Sequence, residues 1–133
     1  MARAAFSAIA GFLVWMIVVT ASGFVLRGAW PAYAAVADAM TFTLPMMIVR
    51  LAIGAVATLA AGWVAGVIGR RSTIATLLPG VLLLIAFIPQ HISLWEKFPI
   101  WYHLTFLLSL VPLTFAGGRM VHDERSAGVV HSR

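Results

Sequence analysis

The chain contains no cysteine and no asparagine, a single lysine, a single glutamine and, among 133 residues, only four carboxylates: Asp38, Glu96, Asp123 and Glu124. Without cysteine there are no disulfides, thiolate metal sites or cysteine nucleophiles, and dithiol chemistry coupled to quinones is excluded as well. Charged residues make up 10 % of the chain, where a soluble domain carries about 25 %. Serine and threonine lack a neighbouring base, no glycine-rich phosphate loop follows a strand, and no zinc-protease helix motif is present, so no enzyme is expected. The net charge of +5 on a pI near 11.2 comes from arginines at the edges of apolar stretches. Such a distribution orients a chain in a bilayer and gives no face for nucleic acid.

What the sequence has in abundance is apolar length. Hydrophobic residues are 62 % and mean hydropathy is +1.02, in a chain the size of one domain of roughly 100–200 residues. A bilayer core of about 30 Å takes about 20 apolar helical residues. Four such runs are present, at about 5–26, 45–69, 73–92 and 99–116. The first, Ala5 to Leu26, exceeds the ~7–15-residue core of a signal peptide, and Arg27 separates it from Ala32-Tyr33-Ala34, so it is expected to be retained. The third opens after Arg70-Arg71, with Ser72 or Thr73 as cap, and the fourth runs from Pro99 to a stop at Gly117-Gly118. The second is interrupted early by Pro45 and Arg50; residues 40–49 read as an interfacial segment in preference to a helix kinked at Pro45.

These spans predict an all-α integral membrane protein, a four-helix up-down bundle over residues 1–118 with a disordered tail at 119–133. Arg3, Arg70, Arg71, Arg119, Arg125 and Arg133 fall on one side, against Arg27 and Lys97 on the other, which puts both termini in the cytoplasm. Trp30, Tyr33, Trp95, Trp101 and Tyr102 then read as headgroup anchors at the outer ends, and Trp15 and Trp63 as packing residues inside spans. Arginine in preference to lysine and the absence of a targeting peptide point to a bacterial inner membrane.

Gly54, Thr58, Gly62 and Gly66 recur every fourth residue in the second span, with Ala57, Ala61 and Ala65 beside them. A stripe of this kind lets helices approach closely, within the bundle, in a homo-oligomer or against a larger membrane complex. Pro79, Pro89 and Pro112 free carbonyls that Thr76, Thr105 and Ser109 are placed to satisfy.

Candidate functional residues gather at the outer end. An intramembrane arginine costs about 2.5–3.5 kcal/mol on insertion scales, so Arg50 must snorkel, pair with Asp38 or Glu96, or serve an outer vestibule that binds an anion or lipid headgroup. His91 and His103 fall in one antiparallel hairpin and form a candidate haem b ligand pair or a proton relay with Glu96. His122 and His131 lie in the tail.

Small multidrug transporters carry a glutamate in the first helix, and fluoride channels and membrane glutathione transferases use asparagine; this chain has neither. Arg50-Leu51-Ala52-Ile53-Gly54 with Ala61-Gly62 is similar to the opening helix of DoxX-like membrane proteins, a resemblance that carries no function. The expectation is a non-enzymatic accessory or self-associating bundle in the lipid bilayer, with no metal and no resident cofactor. A small oligomeric channel or carrier with an outer vestibule of Arg50, His91, Glu96 and His103 is the alternative, and a haem- or quinone-associated electron-transfer subunit the third.

Overall fold

The computed structural model describes residues 1–70 and 72–130; Arg71, residues 131–133 and the side chains of 122–126 and 129–130 lie outside the described residues. With them go His122, Arg125, His131 and Arg133 of the sequence reading. Five helices follow in chain order: α1 (Ala2–Ala29), α2 (Pro31–Ala37), α3 (Leu44–Ile68), α4 (Thr73–Ser93) and α5 (Ile100–Val130). Four of them are long and apolar enough to cross a membrane, with mean hydropathies of 2.3, 2.1, 1.9 and 1.5 for α1, α3, α4 and the Ile100–Val121 part of α5.

Two boundaries differ from the sequence reading. Residues 44–49 belong to α3, because Pro45 sits in its first turn, where the missing N–H has no helical partner to lose. The segment outside the long helices is instead α2 with the turn at 38–43. At the other end, α5 does not stop at Gly117-Gly118, and the stretch expected to be disordered continues the helix to Val130. Both glycines are there for space. A Cβ on Gly117 would strike the backbone of Leu59, and one on Gly118 the side chain of Thr76.

The helices pack around α3, which touches α1, α4 and α5. Its small residues make this possible. Gly54, Ala57, Thr58, Ala61, Gly62, Ala65 and Gly66 are all buried, with the carbonyl of Ala61 against Gly11 of α1, Gly62 against the backbone of Thr114, and Gly66 against Gly118. The stripe is therefore turned inward, toward this chain's own helices. Gly11 against Ala61 and Trp15 bonded to Thr58 set α1 antiparallel to α3; Ser7 beside Ala75 and Gly11 against Pro79 set it parallel to α4; Gly118 against Thr76 and Gly80 against Leu110 set α5 antiparallel to α4.

Pro79 leaves the Ala75 carbonyl without its helical donor. The hydroxyl of buried Ser7 donates to Ala4 O at 2.8 Å and lies 3.5 Å from that oxygen, so it shares its one proton at most weakly with it. The hydroxyls expected in this role act elsewhere, Thr76 donating to Thr73 O and Ser109 to Phe106 O. Ser72 caps α4 by accepting from Ala75 N. The turn before it puts Arg70 at φ 49°, a left-handed conformation that costs an L-residue about 1–2 kcal/mol; the glycine one residue earlier is needed for space, since a Cβ there would meet Ala75.

Of the tryptophans, Trp15 is 3 % exposed and packs in the core, whereas Trp63 is 41 % exposed and faces outward. The glycines divide in the same way. Gly62→Ala and Gly117→Ala should lower the unfolding temperature in mild detergent, because each added methyl meets backbone. Gly23→Ala and Gly28→Ala, where a Cβ meets nothing within 4 Å, should instead be neutral or stabilising by about 0.5–1 kcal/mol, the usual gain for alanine inside a helix.

Candidate ligand cavity at the Arg50 end

Between α1, α3, α4 and α5, at the end away from residues 2 and 68, lies a cavity of about 290 Å³. Its floor is Trp15, Gly54, Phe87 and Phe106. Trp15 Nε1 donates to Thr58 Oγ1 at 3.0 Å, and Thr58 donates in turn to Gly54 O at 2.6 Å. Beneath them Ala57, Ala61, Leu83 and Leu110 fill the core. The cavity is blind at this level.

Arg50 stands in the second turn of α3, about 9 Å from its start at 1.5 Å per residue. It is half-buried and lines the cavity. Its Nε donates to Tyr102 Oη at 3.3 Å and its Nη1 to Tyr33 Oη at 2.7 Å, and the guanidinium lies 4.5 Å from the centroid of Phe42. These are the chain's two tyrosines, and both serve this one cation. Neither is a headgroup anchor, since Tyr33 is 3 % and Tyr102 5 % exposed. α2 and the following turn deliver Tyr33 and Phe42. A stack running Tyr33, Phe42, Phe98, Tyr102 at 5.1, 6.0 and 4.6 Å holds the group together.

The carboxylates are elsewhere. Asp38, exposed, pairs with Arg27 at 2.9 Å, and Glu96 is an exposed turn residue that does not line the cavity. No acid reaches Arg50 among the described residues. Each tyrosine oxygen accepts from arginine, so each keeps an O–H of its own, and neither proton has an acceptor among the described residues. Unused guanidinium N–H groups add to these. The result is a cluster of donors at the polar tip of an aromatic-walled cavity.

His91 and His103, by contrast, are brought together, with Nδ1 to Nδ1 at 2.7 Å. This is a hydrogen-bond distance; two nitrogens bound to one metal at about 2.0–2.1 Å each stand farther apart. His103 Nε2 lies 3.3 Å from Trp95 O, and since a carbonyl only accepts, that nitrogen carries the proton. With both rings neutral, His103 Nδ1 then accepts from His91 Nδ1–H, and His91 Nε2 keeps its lone pair. His91 lines the cavity and His103 supports it from behind. Gln90, also on the lining, completes the polar groups.

Tyrosine was the signal for this site. Two phenols in an otherwise apolar chain, each near a span end, fit headgroup anchoring as well as arginine binding, and nothing in their spacing separates the two roles. Loss of either phenol should weaken the grip on Arg50. Hydrogen bonds to charged groups are worth about 1.5–3 kcal/mol, so Tyr33→Phe, which removes the shorter bond, should lower thermal stability more than Tyr102→Phe. In ¹⁵N-histidine NMR at neutral pH, His103 Nε2 should be protonated and His91 Nε2 unprotonated. Neither the sequence nor the fold matches a protein-family model, a curated protein or a solved structure.

Proposed function

We propose that this chain is a four-helix membrane-spanning protein, both termini cytoplasmic, of a bacterial inner membrane, and that it binds an anionic ligand in the cavity at the Arg50 end. The basic residues clustered at one level of the chain support the orientation. One observation supports the ligand: a guanidinium with no carboxylate partner among the described residues, flanked by two phenols that accept from it and whose own O–H groups find no acceptor there. Donors converging in a low-dielectric site are an oxyanion cradle, for a carboxylate or phosphate, and arginine's fork fits either. The lone pair of His91 Nε2 adds an acceptor for a head group that retains an acidic O–H.

The blind floor favours binding over conduction. The same reading is preferred over self-association through the Gly54/Thr58/Gly62/Gly66 stripe, because that stripe is spent against α1 and α5, and over haem ligation, because the His91–His103 spacing is that of a hydrogen bond. The protein then acts by holding or presenting its ligand, without catalysis.

Purified protein in a neutral detergent should be stabilised against heat by hexanoate or hexyl phosphate, by about 2.7 kcal/mol at a hundred times the dissociation constant. Hexanol should have no effect, and Arg50→Gln should abolish the response. Equal stabilisation of wild type and Arg50→Gln would sink the proposal.

A further inference from the structure

The cavity is not walled equally on all sides. At Gly11, α1 is pressed onto α4, where a Cβ would lie 2.9 Å from Pro79 Cγ. At Gly23, about three turns farther along α1, a Cβ would meet nothing within 4 Å, although Gly23 lines the cavity. α1 is thus pressed onto α4 at Gly11, and at Gly23, on the cavity wall, it leaves room for a side chain. Met16, Val19 and Leu26 of α1 and Leu94 of α4 add apolar side chains to this lining. Both helices are long and apolar enough to cross a membrane, where an opening between them would face hydrocarbon.

Building on the anion reading above, we infer that the ligand is a long-chain amphiphile with a carboxylate or phosphate head, which enters sideways from the bilayer between α1 and α4. Two features carry this. The head would meet the Arg50–Tyr33–Tyr102 donors, where Arg50 is the one charged side chain on the lining among the described residues. The volume of about 290 Å³ is at the bottom of the roughly 300–1,000 Å³ range of ligand pockets, enough for a head and the first part of a chain. The remainder of the chain passes out through the apolar gap and stays in lipid, where it loses no hydrophobic burial. A water-soluble anion would need none of this apolar border.

The test uses the full chain in phosphatidylcholine vesicles, with dibrominated stearate as the probe. Bromine quenches indole fluorescence on contact, and the part of the quenching that disappears in Trp15→Phe reports the cavity floor. That part should saturate, be displaced by oleate and by oleyl phosphate, and resist oleyl alcohol and millimolar inorganic phosphate or acetate. Arg50→Gln should weaken it about ten-fold or more, the effect of losing a charged hydrogen-bonding group. Gly23→Leu, which adds bulk where a side chain meets no obstacle, should block the brominated probe while the ligand-free protein keeps its unfolding temperature, and it serves as the check if Arg50→Gln fails to fold. Displacement by inorganic phosphate as readily as by oleyl phosphate would overturn the lateral, lipid-borne ligand and leave the anion site standing. Equal displacement by oleyl alcohol, or unchanged quenching in Gly23→Leu, would overturn the inference as well.

Discussion

The whole arrangement depends on how closely three helices can approach α3. In hydrocarbon there is no hydrophobic gain from bringing apolar helices together, so association rests on van der Waals contact between backbones. Gly62 against Thr114 and Ala61 against Gly11 provide that contact at the level of the core. Toward Arg50 the pattern stops. Gly54, the last member of the row, meets the ring of Phe106; Trp15 and Phe87 at the same level, and Phe98 and Tyr102 above, hold the helices apart. The cavity is what remains where small residues give way to rings.

That change of packing also explains how a cation is kept away from the helix ends. A guanidinium in an apolar layer is tolerated when its donors are used and its charge is spread. Two phenols and the face of Phe42 do this with neutral groups. A carboxylate at the same place would neutralise Arg50 and close the site electrostatically; Asp38 is instead tied to Arg27, and Glu96 stands in an exposed turn. The bridge between Arg27 and Asp38 is exposed and worth little by itself, yet it fixes the end of α1 to α2, the helix that carries Tyr33.

Much of the fold was legible because run length is a one-dimensional property. Four apolar stretches, a serine cap before the third and the tight turn at Gly69–Ser72 could be read directly. Prolines and glycines misled wherever tertiary contact reverses their local meaning: Pro45 begins a helix, and Gly117-Gly118 continue one because α5 must pass against Leu59 and Thr76. At the site, Arg50, His91 and His103 stood out as costly in lipid. Their arrangement did not, since Tyr33, Phe42 and Tyr102 come from three separate segments and only the packed structure brings them to one guanidinium. Asp38 and Glu96 were natural partners for Arg50 by charge alone, and the fold sends both outward. Ser7 was equally invisible, as the carbonyl it reaches lies 68 positions away.

The contact of Gly11 with Pro79 has a mechanical consequence. It is a ring seated in a notch, with Ser7 beside the same turn of α4 just behind it. The joint lies in the first half of α1, away from Arg27, so the far end of α1 is tied in mainly through α2, where Asp38 holds Arg27 and Tyr33 holds Arg50. The two phenols therefore reach the arginine by different routes, Tyr33 through the α1–α2 connection and Tyr102 from α5.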